Sequence, residues 1–469
     1  MKHIMTGLLM ALSCFAQAQE MWGITGSNYG GVSSVMINPS SLVGAPYKYH
    51  LNILTAETFV QNTYFYLPKE SHGVQSSLSG ELNNADFRYE VTNTGPHSGN
   101  FHSLVIGPSF YLNNGRSAWG FHTAVRNEAS ASGIPYDLIK LVSEKFDYAP
   151  LLKKDFHSDP FSVALLSWAE AGVTYGREAF RTDKHYVSWA ATLNALIGFD
   201  GAYLDVRRME YQLPDSATGL FHAVDATLAH AVPLSNFGPS SMLRQRGSGV
   251  SATVGITYMH NRNEAAFACG GDGGKKYDYR IGFSIVDLGS IRFRKEARYT
   301  ELHTESDVTW NNIDTASFSN ITSFSEMLSN EINGSVTTTE APFTMWLPAA
   351  ACLQADYCII KNIYTGAAWL NRINLAGNQV KRNNQLNFSV RYERKHFETG
   401  AGLMFTEYRD PSAGFHIRYR FLVIGTDRLM EWLSMSDVRS VDFYFGLRLT
   451  ACELFKKKPT RCIAYGNLD

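Results

Sequence analysis

Residues 101–128 read FHSLVIGPSFYLNNGRSAWGFHTAVRNE, and this stretch decides the fold. Its first half sets Leu104, Ile106, Phe110 and Leu112 on one face, and Asn113-Asn114-Gly115-Arg116 then turns the chain. Asn-Gly is the strongest short hairpin signal, because both central residues of such a turn must accept a positive φ. On the return, Trp119, Phe121, Thr123 and Val125 alternate with Gly120, His122, Ala124 and Arg126. One face is bulky and apolar and the other small or polar, the period-two pattern of a strand between lipid and a wet interior.

The alternation recurs along most of the chain. Ala169 to Arg177 and His185 to Phe199 form a second hairpin, with Trp189, Ala191, Leu193, Ala195 and Ile197 on one face. Further segments are Tyr47 to Tyr66 (two strands), Ser248 to His260, Tyr277 to Phe293, Phe343 to Tyr357, Ile359 to Asn371, Gln385 to Arg394, Thr399 to Tyr408, Gly414 to Val423 and Val441 to Thr450. Several reach the roughly 9 to 11 residues that cross a bilayer at a tilt. The pattern predicts an all-β fold, a single antiparallel transmembrane β-barrel of about 14 strands, an even number as bacterial barrels have. Ile134 to Leu152, Gln212 to Arg246 and Arg298 to Pro342 read as long polar loops, the first holding a helix-like piece from Pro135 to Phe146.

Of the 469 residues, 13% are aromatic, 45% apolar and only 18% charged, with 38 Gly. A soluble domain carries about 25% charge, so the surface is short of charge, as a lipid-facing wall with aromatic girdles requires. A secreted β-sandwich or propeller shares that bias, and composition alone separates the two only slightly. The net charge of −1 points to no nucleic acid or other polyanion.

Met1-Lys2-His3, an apolar run from Ile4 to Phe15 and Ala16-Gln17-Ala18 are the three parts of a secretory signal peptide. Cleavage after residue 18 is expected, with acylation of Cys14 as the competing reading. The expected organisation is a signal peptide over 1–18, a barrel domain over 19–450 and a periplasmic tail over 451–469. No later apolar run of about 18 residues offers a helical span. Cys269, Cys352, Cys358, Cys452 and Cys462 remain after export, without a C-x-x-C pair; a bridge between Cys452 and Cys462 is open.

No stretch reads as a site of chemistry. Gly247 to Ala252 loosely resembles a dinucleotide loop, but it lies in an alternating strand with no helix after it. Asp205, Glu210, Asp215, Asp225, His222 and His230 match no metal-ligand spacing. Gly271 to Lys276 holds one acidic residue, Asp272, too few for a calcium loop. No Gly-x-Ser-x-Gly elbow is present. The expectation is therefore no catalytic residue, no metal and no cofactor.

Four segments carry a family resemblance. Asn28-Tyr29-Gly30-Gly31 through Asn38-Pro39-Ser40-Ser41-Leu42 resembles the N-terminal signature of the FadL and PorV type of outer-membrane barrels. Ser284 to Phe293, with Asp287-Leu288-Gly289, looks like the Asp-Ile/Leu-Gly strand turn of that group. Leu347-Pro348-Ala349 with Ala355-Asp356-Tyr357, and Arg418 to Leu429 with Gly425-Thr426-Asp427, are similar to uncharacterised outer-membrane proteins of Bacteroidetes related to PorV. Val441 to Leu449 fits their last strand. The resemblance implies a barrel of about 14 strands whose N-terminal segment plugs the lumen. Asn38, Pro39, Asp287, Gly289, Pro348, Asp356, Gly425 and Asp427 are its motif residues, read as architectural: Pro39 holds Asn38 out of helix, and Gly289 and Gly425 suit tight bends beside Asp287 and Asp427.

The resulting expectation is a non-enzymatic barrel in the outer membrane of a Gram-negative bacterium, with lipid as its surroundings. FadL-type members move hydrophobic small molecules, which predicts an apolar pocket behind the N-terminal segment. PorV-type members serve type IX secretion, which predicts a secreted or surface protein as partner.

Overall fold

A computed structural model describes residues 20–82, 86–232, 244–261, 277–304, 307–311, 313–315 and 336–450. The expected signal peptide, the tail over 451–469, Cys269, Cys452, Cys462 and the turn over 271–276 lie outside the described residues.

Fourteen antiparallel strands close a barrel. In chain order the wall begins with β1 (Tyr49–Asn62), β2 (His97–Ile106, continued as Ser109–Asn113), β3 (Ser117–Ile134), β4 (Phe161–Arg181) and β5 (His185–Gln212). The chain then forms β6 (Thr218–Ala231), which lies outside the wall, and returns to it in β7 (Gly247–His260) and β8 (Tyr279–Phe293). Two more outlying strands follow, β9 (Arg298–Thr304, continued as Val308–Asn311) and β10 (Val336–Thr339). The wall is completed by β11 (Phe343–Trp346, continued as Ala350–Ile360), β12 (Ile363–Arg372), β13 (Gln385–Glu393), β14 (Phe397–Thr406), β15 (Asp410–Tyr419), β16 (Leu422–Thr426) and β17 (Ser440–Thr450). β17 pairs with β1 from Thr450 against His50 to Ser440 against Gln61, which joins the last strand to the first.

The alternation read from β3 sorts its side chains to two sides. Trp119, Phe121 and Val125 face outward at 49%, 46% and 37% exposure, while His122, Ala124 and Arg126 are buried inside. The partner strand departs from the expected face. Leu104 and Ile106 are buried within, whereas Phe110 is exposed and pairs with the outward Phe121. Gly107-Pro108 interrupts the ladder between them, and the extra residue of this bulge reverses which face each later side chain takes.

Three other expectations are corrected. Tyr47 to Tyr66 holds one long strand, β1, and only a two-residue strand after it, Phe65–Tyr66. Gly414 to Val423 spans a turn, where Arg420 at φ 50 separates β15 from β16. The loops over Gln212 to Arg246 and Arg298 to Pro342 contain strands. β5 has 28 residues, far more than a bilayer needs, and its second half pairs with β6 in place of β7. β9 and β10 extend that pairing, so a side sheet rises from the wall at the end where the long connections lie.

Residues 20–48 fold inside the barrel as α1 (Trp22–Thr25), α2 (Val32–Ile37) and a 3-10 turn, Pro39–Leu42. Trp22, Ile24, Val32, Val35 and Leu42 are buried, and most of them pack in one cluster with the wall residues Leu104, Ile106, Tyr111 and Tyr444.

Candidate functional site

An apolar space lies in the side sheet, beyond the plugged lumen. Here β4 and β5 overrun the barrel and α3 (Tyr136–Ser143) lies across them. α3 follows Pro135, which fixes φ where a helix starts, and sets Leu138, Leu141 and Val142 at i, i+3 and i+4. That stripe packs on Phe161, Val206, Tyr211, Leu213, Val224, Leu302 and Trp310. Between them is a cavity of about 200 Å³ whose fifteen lining residues include no charged side chain. Burial pushes the Tyr211 phenol well above its ordinary value, so it stays neutral. The space suits an uncharged apolar molecule.

A second apolar cluster contains Leu166, Trp168, Phe293, Met345, Leu347 and Val380. It stands on the inner side of β4 below Phe161, and ends where the Arg126 guanidinium lies 4.9 Å over the Trp168 ring. From there the lumen is charged. Arg126 pairs with Asp287 at 3.0 Å and Glu128 at 3.1 Å, and His102 lies between Glu57 at 2.8 Å and Glu128 at 2.7 Å. A separate group joins Arg391 to both oxygens of Asp356 at 2.7 Å.

Wall polar groups also hold the plug. Asp427 accepts from the Trp22 backbone N–H at 3.0 Å, and Glu398 accepts from the Ser27 hydroxyl at 2.7 Å. Arg280 donates to the Gly26 carbonyl and Arg448 to the Ser33 hydroxyl, each at 2.6 Å. One space between plug and wall is about 40 Å³ and is lined by Ser27, Arg280, Gln354, Asp356 and Arg391 among others. Among the described residues, this space behind the N-terminal segment is small and carries charged groups in its lining. Plug hydroxyls and carbonyls answer wall charges, and the apolar cavity sits in the side sheet.

The motif residues fall in both plug and wall. Asn38 adopts φ −141, caps the 3-10 turn begun by Pro39 by accepting from the Ser40 N–H at 3.1 Å, and donates to Gln354 at 3.3 Å. Asp287 occupies a bulge of β8 at φ 56 and binds Arg126 and Arg382. Gly289 and Gly425 have no positive φ; a Cβ at Gly289 would run into the Val250 carbonyl, and one at Gly425 into the Tyr444 ring. Close approach, not a bend, needs these two glycines. Pro348, which has no N–H to pair, lies in the break of β11.

Asn38→Ala removes a cap and a wall contact, and an unfolding free energy lower by about 1 kcal/mol is expected from denaturant titration in detergent; an unchanged value would remove Asn38 from the plug's seat. Glu431 lies on α4 (Leu429–Trp432), outside the wall strands. Burial pushes its carboxyl up to about 7, against the pull of Arg428. With the folded value above the unfolded one, stability is full at low pH and is lost as pH rises from about 4.5 through about 7. Unfolding free energy from denaturant titration is expected to fall by about 3 kcal/mol across that window, and Glu431→Gln to abolish the fall. Equal slopes in both proteins would contradict the assignment.

The earlier metal candidates are otherwise engaged. Arg207 binds Asp225 and lies 3.9 Å from Asp205, Arg208 binds Glu210, and His222 lies 2.8 Å from Asp307. Among the described residues no three His, Cys, Asp or Glu side chains are grouped to hold a metal. Gly247 to Ala252 is an ordinary run of β7. Sequence reasoning missed the cavity residues and Arg382; the alternation of Val224, Ala226 and Leu228 along β6 was the available signal for the former.

A family model described as a family of unknown function (DUF5723) matches residues 38–427. No curated protein matches the chain. Among solved structures, the toluene transporter TbuX of Ralstonia pickettii aligns over 89% of this chain and 92% of its own, at 10% identity and TM-score 0.38. The TodX deltaS2S3 mutant monoaromatic hydrocarbon channel aligns over 90% and 95%, at 11% identity and TM-score 0.43. The translocator domain of the autotransporter NalP from Neisseria meningitidis aligns over 92% and 99%, at 7% identity and TM-score 0.31. Likeness at this level carries neither substrate nor site over to this chain.

Proposed function

We propose, for a chain that belongs to the family of unknown function DUF5723, an outer-membrane barrel that takes up small apolar molecules at its long-loop end. Export by residues 1–18 and insertion in the outer membrane of a Gram-negative bacterium are part of the proposal. Exposed Trp119, Phe121, Leu193, Val250, Phe283 and Phe388 on the wall strands support a lipid-facing surface. The short turns over 114–116 and 182–184 lie at one end and the side sheet at the other, the arrangement of periplasmic turns and extracellular loops.

One observation carries the ligand reading: the cavity of about 200 Å³ with no charged lining residue. Apolar cavities of about 150 Å³ stay dry and admit benzene, so this one has room for a single aromatic ring with a short alkyl substituent. A separate apolar cluster lies farther along β4, from Ala164 to Trp168. Burying an unpaired hydroxyl in such a place costs about 2 kcal/mol or more, so hydrocarbons are preferred over phenols of the same size.

Trp310 lines the cavity and reports on it. Titrating the detergent-solubilised barrel with toluene is expected to shift its emission saturably, with phenol at least about tenfold weaker. Absence of a saturable response to any apolar probe rejects the reading, and a protein partner co-purifying in its place would favour the secretion alternative.

A further inference from the structure

Residues 373–384, between β12 and β13, fold into the mouth of the barrel. The Lys381 N–H donates to the Ser130 hydroxyl and its Nζ to the Ser162 hydroxyl, each at 2.9 Å. Asn383 donates to Gln61 at 2.8 Å, and Val380 is buried in the apolar cluster above Trp168. From this loop Arg382 points inward and is 6% exposed. One side of its guanidinium lies 2.7 Å from Asp287 on the wall, and the other lies 3.0 Å from Glu20 at the start of the plug. Asp287 is already shared with Arg126.

We propose that Arg382 is a latch joining the loop at the mouth to the plug, so that the two barriers to the lumen open together. If the plug moves alone, Arg382 is left with a carboxylate that Arg126 also claims. If the loop moves alone, Glu20 loses its cation. Either step pulls Arg382 and Glu20 apart inside the protein, which is unfavourable for a buried pair, whereas movement of loop and plug together keeps that pair and parts it only from Asp287, which Arg126 still holds. Glu20 moves with α1, because its carbonyl accepts from the Thr25 hydroxyl at 2.6 Å. The latch also stands at the foot of the apolar cluster, beside the Arg126 and Trp168 contact, so its release would join that surface to the lumen. The coupling rests on the fold and needs no ligand.

Coupling between two sites is reciprocal, so a change in the plug should free the loop. The full chain, reconstituted in liposomes, is exposed to external trypsin and cleavage after Lys381 is timed, with heat-modifiable gel migration confirming a folded barrel. Glu20→Gln and Arg382→Met are each expected to speed cleavage about tenfold, within the range usual for such coupling. The double variant should be no faster than either. Glu20→Asp, one methylene shorter, should be intermediate, and it carries the test if the glutamine variant does not fold. Wild-type cleavage rates in folded Glu20 variants, or effects of the two substitutions that multiply, would overturn the latch.

Discussion

Leu193→Arg is expected to destabilise the barrel in lipid vesicles by about 2 to 4 kcal/mol, the cost of a cation near the bilayer midplane. Leu193 is 67% exposed and sits midway along the part of β5 that pairs with β7. On a water-exposed surface the same substitution would change stability by no more than about 0.5 kcal/mol. The two environments therefore give separable results from one equilibrium titration. Asn194, the next residue, is buried on the lumen side, and Asn194→Ser should show no comparable lipid-dependent loss. A loss for Leu193→Arg below about 0.5 kcal/mol in vesicles would deny that this face meets lipid.

Ala226→Phe should lower toluene affinity about a hundredfold, equivalent to about 2.7 kcal/mol. Ala226 is buried on β6 and lines the cavity, so the added ring enters the space a ligand would take. In a filled core such an enlargement costs about 1 to 3 kcal/mol of stability; into an existing cavity it should cost little. Lost binding with an unchanged unfolding midpoint is the expected pair of results, measured by the Trp310 titration and by denaturant. Retained affinity would place the ligand elsewhere.

The wall was legible because lipid and lumen demand opposite chemistries from successive residues. Trp119 against Gly120 and Phe121 against His122 display that contrast within four positions. Asn38-Pro39 was legible as a turn for a local reason, since proline restricts the residue before it. Bulges were not legible. Nothing in the letters around Asp287 announces a φ of 56, and Gly107-Pro108 reverses the faces of Phe110 and Leu112 without breaking the hairpin pattern. The cavity was hidden for a different reason. Its walls come from α3, β5, β6 and β9, brought together only because β5 outgrows the barrel and recruits new partners. The charged groups of the lumen follow the same logic. Arg126, Asp287 and Arg382 lie on separate elements, and only closure of the wall places both cations within 3.0 Å of Asp287.

Spin labels placed singly at positions 190 to 198 and read in liposomes for collision with oxygen and with a water-soluble nickel chelate test the lipid-facing wall most directly. Oxygen collision is predicted to rise at 191, 193, 195 and 197 and to fall at each residue between, with the chelate excluded from all four maxima. Chelate collision at 193 matching that of a loop label would show water on that face and contradict the account.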